Sequence, residues 1–133
     1  MDDSGHTTDV ELRYRDLDTM GHVNNAVYAT FIEQARLDFF ETVAGVPLDE
    51  AGGVIAHLEI DYERPITLDQ DVAVTTSIAD LGDSSISMDH EILADGEVAA
   101  TANLLQITVD PETGETISIP SEWRDRIATH RDH

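Results

Sequence analysis

Between Asp16 and Asn25 the chain carries two carboxylates (Asp16, Asp18), one imidazole (His22) and two carboxamides (Asn24, Asn25) around Gly21. A carboxylate can act as base or nucleophile, an imidazole with a reference pKa of about 6.5 can pass a proton at neutral pH, and an amide can orient water or a carbonyl. Upstream, Val10, Leu12 and Tyr14 alternate with polar residues; downstream, apolar residues recur at helical spacing. The polar stretch is therefore predicted to be a turn from a strand into a helix. The first N–H groups of such a helix lack intrahelical acceptors and can hold a developing negative charge.

The elements that position this turn follow from periodicity. Residues 1–8 are polar and aperiodic and are expected to be a loose terminus; Asp9 to Arg15 alternate as a half-buried strand. From Ala26, the positions Val27, Tyr28, Phe31, Ile32, Ala35, Phe39, Phe40 and Val43 share one face of a long helix that ends near Gly45, with Pro47 beyond. After a loop at Asp49 to Gly53, strands are predicted at Val54–Tyr62, Asp71–Ala79, Ser84–Leu93 and Glu97–Val109. Leu81-Gly82-Asp83 and Ala94-Asp95-Gly96 have hairpin chemistry. Thr116–Ile119 is a candidate last strand, and Ser121 is expected to N-cap a terminal helix. A strand, a long helix and then antiparallel strands make an α+β domain in which a curved sheet of about five strands wraps one helix.

The chain has 133 residues, a net charge of −21, no cysteine and no lysine, so its seven cations are all arginine. That length fits one domain. The absence of cysteine excludes disulfides, thiolate nucleophiles and sulfur-ligated zinc, leaving oxygen or water as the attacking atom. The charge disfavours nucleic acid, whose phosphates are met by clustered Lys and Arg. Hydrophobic residues make up 41% of the chain and recur periodically, so it reads as folded with an acidic coat, a composition resembling proteins of salt-accumulating halophiles. No signal segment and no apolar run of spanning length is visible, and the expected location is the cytoplasm. His57, His90, His130 and His133 lack metal-ligand spacing, and no metal is predicted.

The run Asp16-x-Asp18-x-x-Gly21-His22-Val23-Asn24-Asn25-x-x-Tyr28, followed by Phe31-Ile32-Glu33-Gln34-Ala35-Arg36, resembles the 4-hydroxybenzoyl-CoA thioesterase branch of the hotdog-fold acyl-CoA thioesterases. Further matching elements are Asp61-Tyr62-Glu63-Arg64-Pro65-Ile66, Leu81-Gly82-Asp83-Ser84-Ser85-Ile86 and Asp95-Gly96-Glu97-Val98-Ala99, so the likeness covers residues 9–120, with 121–133 as a terminal helix and tail. It implies a hotdog fold, at least a homodimer with sites shared between subunits (a homotetramer is the alternative), and hydrolysis of an acyl-CoA thioester with no cofactor beyond the coenzyme A of the substrate. Plant acyl-carrier-protein thioesterases resemble the His-Val-Asn-Asn stretch as well, which keeps a carrier-protein substrate as the enzymatic alternative. A non-catalytic acyl-CoA binding module is the alternative outside enzymes.

By this resemblance Asp18 matches the catalytic carboxylate, as nucleophile or general base; the plainer reading is a turn or helix cap. His22 and Asn25 are candidates for assisting the thioester or the leaving thiolate, and Gly21 and Val23 for the turn that presents oxyanion donors. Asp16 is expected to fix the loop by accepting backbone hydrogen bonds, and Asn24 to cap the helix. Tyr28 is a core or acyl-pocket residue. Glu33 is the second candidate carboxylate, a buried base or half of an ion pair with Arg36. Arg64 is a candidate phosphate contact or salt-bridge partner, and Ser84 and Ser85 lie near the substrate or simply start a strand. The family's usual Gly-Asp after Arg-Pro is replaced here by Asp69-Gln70-Asp71.

Repulsion among the acids fades as the Debye length shrinks to about 3 Å in molar salt. The thermal unfolding midpoint is therefore expected to rise from dilute buffer to molar potassium chloride, measured by circular dichroism; full stability without added salt would sink the halophile resemblance.

Overall fold

The structure, a computed structural model, describes residues 5–46 and 53–131. The first four residues, Pro47 and the loop expected at 49–52 lie outside the described residues. Five strands, β1 (His6–Val10), β2 (Gly53–Tyr62), β3 (Val72–Leu81), β4 (Ser85–Ala94) and β5 (Glu97–Thr108), form one antiparallel sheet in the order β1-β3-β4-β5-β2. Helix α1 (Val27–Phe39) lies along the concave face of this sheet, and α2 (Ser121–Arg131) packs on the end of α1.

Helix α1 buries Tyr28, Phe31, Ile32, Ala35 and Phe39, the stripe expected from the spacing. A wider π turn continues it through Phe40–Ala44, so that the successive side chains of Phe39 and Phe40 are both buried, Phe40 against Trp123 of α2 with ring centroids 6.0 Å apart. Gly45 closes the helix in the left-handed conformation (φ 69°), the role expected of a glycine at that position. Opposite the stripe stand Val72, Val74 and Ile78 of β3, Ile86, Met88 and Ile92 of β4, and Ala100, Ala102 and Leu104 of β5, all buried.

Three expectations are corrected. The first strand is His6–Val10 rather than 9–15, because Thr7 and Thr8 pair with Thr75 and Val74 of β3; residues 6–8 thus belong to the sheet, and Tyr14–Asp16 form a 3-10 turn. Residues 116–119 make a single bridge, Val109 to Thr116, rather than a strand. Ser121 is the first residue of α2, where the Pro120 carbonyl, not the serine side chain, accepts the N–H groups of Trp123 and Arg124.

Strand β1 is tied to α1 by Asp38, which accepts from the Thr8 hydroxyl at 2.5 Å and the Thr42 hydroxyl at 3.1 Å and lies 2.8 Å from His6 Nε2. Partial burial pushes the Asp38 carboxyl up, but these hydrogen bonds outweigh it and hold the group below its ordinary value. On the concave face His90 of β4 is buried beside Thr76, whose hydroxyl is 3.1 Å from Nδ1. Burial, reinforced by the nearby Arg36 guanidinium, lowers the His90 pKa to about 4.

The unfolded chain takes up a proton at His90 near pH 6.5, whereas the folded one resists until about pH 4. Stability is therefore expected to fall as pH drops through this window, by at most about 1.4 kcal/mol per pH unit. Chemical denaturation at pH 7 and pH 5 checks this, with His90→Gln flattening the dependence; an unchanged slope in the variant would show that other groups carry it.

Candidate active site

The turn from Leu17 to Ala26 is built by its own side chains. Asp18 Oδ1 accepts the N–H of Met20 at 2.8 Å and of His22 at 3.1 Å, while the Asp18 N–H donates to the His22 carbonyl at 2.7 Å. Gly21, with φ 79°, makes the reversal that a side chain would strain, and its N–H donates to the Asp18 carbonyl. One oxygen of Asp18 is thus tethered by the loop it belongs to, and among the described residues Oδ2 accepts no hydrogen bond. Asp18 is exposed, so this free oxygen is open to water or substrate.

Asp16 does what its loop-fixing role requires: its side chain accepts the Arg13 N–H at 2.9 Å and its carbonyl accepts the Asn24 N–H at 2.8 Å. Asn24 does not cap α1 as expected, since Ala26 stands at the helix start with no side-chain cap; it folds the turn into the helix, taking the N–H of Ala26 on its side-chain oxygen and that of Val27 on its carbonyl, both at 2.9 Å. The segment 62–67 holds the turn from the other side. Val23 N–H donates to the Ile66 carbonyl at 2.8 Å, His22 bridges Thr67, and the Tyr62 hydroxyl donates to the Asn25 carbonyl at 2.9 Å.

The N–H groups of Gly21 and Val23 are therefore already engaged, and these residues shape the turn. The Asn25 N–H meets no acceptor among the described residues and sits at the positive end of α1. Asp18, His22, Asn25, Tyr28 and Tyr62 surround a cleft of about 280 Å³, with Arg64 at its rim. The Tyr28 ring is buried under Tyr62, edge to face with centroids 4.9 Å apart; this burial, with Tyr62 adding to it, raises the Tyr28 pKa above its ordinary value.

Other candidates are placed elsewhere. Glu33 is exposed, so it is not the buried base expected as an alternative. Nor does it close an ion pair with Arg36, which donates to Gln106 Oε1 at 2.8 Å. Burial lowers the Arg36 pKa, with Glu33 opposing weakly. Arg64 pairs with Glu97 in an exposed salt bridge. Ser84 precedes β4 and Ser85 begins it, at the Gly53 and Thr108 end of the sheet, a full strand length from the Tyr62 end that meets Asp18. Sequence reasoning missed Tyr62 as a site residue; its place two residues before Arg64-Pro65, where a strand must end, was the available signal. Among the described residues no cluster of three His, Cys, Asp or Glu side chains could hold a metal ion. A larger concavity, about 700 Å³, lies over the convex face of the sheet among Thr75, Ser77, Asp89 and Asn103, away from these groups.

Residues 12–127 match the thioesterase-like superfamily. The chain belongs to that family. This thioesterase-like chain is 27% identical to the long-chain acyl-CoA thioesterase FadM of Escherichia coli over 125 residues, covering 90% of this chain and 95% of that protein. It is 30% identical to the chloroplastic acyl-acyl carrier protein thioesterase ATL3 of Arabidopsis thaliana, covering 90% of this chain and 66% of that one. A thioesterase from Thermus thermophilus, solved with coenzyme A and zinc, superposes with a TM-score of 0.87 at 36% identity over 96% of this chain and 94% of its own. The five-stranded sheet around α1 is the hotdog fold of this family. No helix among the described residues is long and apolar enough to cross a membrane.

Proposed function

We propose that this thioester hydrolase cleaves acyl-CoA to a free acid and coenzyme A at the Asp18 cleft, in the cytoplasm. The observation that carries the reading is the state of Asp18: one oxygen pinned by two backbone N–H groups, the other free beside the unengaged Asn25 N–H. As general base, Asp18 Oδ2 takes a proton from water while the water oxygen bonds to the thioester carbonyl carbon. The carbonyl oxygen gains the electron pair and is held by the Asn25 N–H at the helix start. When the C–S bond breaks, the thiolate leaves with that proton, and His22, at the cleft wall, can relay it. As nucleophile, the same oxygen would bond to the carbonyl carbon as the C–S bond breaks and the coenzyme A thiolate leaves, and water would open the resulting mixed anhydride to the free acid and the Asp18 carboxylate.

The cleft alone is too small and too open for an acyl-CoA, since small-molecule sites span roughly 300–1,000 Å³ and bury most of the ligand. We infer that a second copy supplies the missing wall. Strand β2 has one edge unpaired in the sheet, and Val54, Ile55, Leu58 and Tyr62 on it are exposed. Two identical edges related by a two-fold axis pair antiparallel. That pairing brings the partner's Gly53 end, and with it the partner's Ser84 and Ser85 end, toward Tyr62, which would restore both serines to the substrate side. The salt-adapted composition supports function in concentrated salt, where the acidic coat no longer repels the phosphates of coenzyme A.

A carrier-protein thioester is favoured as a second reading by the name of the Arabidopsis relative. Thiol release in molar salt from aromatic, short and long acyl-CoA and from acyl-carrier protein identifies the substrate, including whether a 4-hydroxybenzoyl group is preferred. Asp18→Asn is expected to lower kcat by about 100-fold or more with the fold intact; wild-type binding of acyl-CoA without thiol release would instead identify a binding module.

A further inference from the structure

We propose that Tyr62 is a positioning residue whose hydroxyl, by holding the Asn25 carbonyl, keeps the neighbouring peptide that carries the Asn25 N–H from turning; this rests on the thioesterase reading above. An oxyanion donor works only if it is held in place before charge develops, because reorienting it during the reaction would consume the stabilisation it gives. Asn25 lies outside α1, which begins at Val27, so its carbonyl is not held by the helix ladder. The phenol of Tyr62 replaces that bond at 2.9 Å. On the other side of the residue, the Asn24 carbonyl accepts the Val27 N–H at 2.9 Å. In a trans peptide the C=O and the following N–H point in opposite directions, so anchoring the Asn24 carbonyl directs the Asn25 N–H away from the helix. The Asn24 anchor holds the plane that carries the Asn25 N–H and the Tyr62 anchor holds the plane that follows, so neither can swing about the φ and ψ of Asn25 without breaking a hydrogen bond. Of these two anchors, only the one from Tyr62 comes from outside the turn.

The placement of Tyr62 explains why an aromatic and not a small polar residue performs this. Its Cα is paired with Ala100 on the far edge of the sheet, and the reach of a phenol spans the gap to the turn. The ring is 47% exposed, so its burial against Tyr28 alone does not account for its position. Directly after it the strand ends, where the Glu63 and Arg64 N–H groups both donate to the Ala99 carbonyl, at 2.8 and 3.1 Å, locking the strand end that carries the phenol.

Tyr62→Phe keeps the ring on Tyr28 and removes only the hydroxyl. The expected result is a loss of kcat of about tenfold with KM within about twofold, the size of effect that one hydrogen bond supports. Amide hydrogen exchange at Ala26 and Val27, whose N–H groups are bonded within the turn, is expected to quicken by a similar factor while the global unfolding midpoint holds. Wild-type kcat and unchanged exchange in Tyr62→Phe would overturn the proposal, as would a Tyr62→Leu variant impaired where Tyr62→Phe is not, since that would assign the role to the ring. If the wild type releases no thiol from any substrate, the thioesterase reading fails, and the exchange comparison alone decides whether the hydroxyl holds the turn.

Discussion

Burial of one face of α1 in the concave sheet fixes where everything else can stand. Phe31, Ile32, Ala35 and Phe39 are so fully enclosed that the helix can neither rotate nor slide without opening the core. With the helix fixed, its start is fixed, and the short turn before it must reach that start from β1. Asp16 and Asn24 hold that reach by satisfying backbone groups of their neighbours, and Asp18 is left at the apex with its own N–H and one of its oxygens already committed. The carboxylate is thus presented by the geometry of the helix junction rather than by a dedicated scaffold around it.

The same helix explains the openness of the site. Its contacts run to β1, β3 and β4, so the far strand β2 receives little cover on the concave side. Ile55, Leu58 and Tyr62 remain exposed there while the corresponding positions of β4 and β5 are buried. The apolar character of this edge stands out against a chain with 28 acidic residues, in which exposed positions are otherwise mostly polar or charged. The uncovered apolar edge and the open cleft meet at Tyr62.

Most of the fold was legible because its elements are long and periodic. The stripe of α1, the alternation in β3, β4 and β5 and the two hairpin connectors carry strong local signals, and each stands within a few residues of its expected bounds. The first strand was misplaced because the alternation of Asp9 to Arg15 mimics a strand, whereas pairing with β3 is decided by partners far along the chain, which no local pattern encodes. In the site, Asp16, Asn24 and the turn were legible because their side chains act on neighbouring backbone. The engagement of the Val23 N–H, the exposure of Glu33 and the contact of Tyr62 were not, since each depends on how distant parts of the chain come together.

Strand β2 contains a bulge between Ile55 and His57 that shifts its register against β5. Ile55 pairs with Gln106 and Leu58 with Leu104, both on the concave side, although their numbers differ in parity. Beyond the bulge the alternation carries Leu58, Ile60 and Tyr62 on that side. An odd spacing such as that from Ile55 to Tyr62 would place the two on opposite faces of a regular strand; the bulge takes up the extra residue, so pairing the same segment without it would turn one of the two side chains to the convex face.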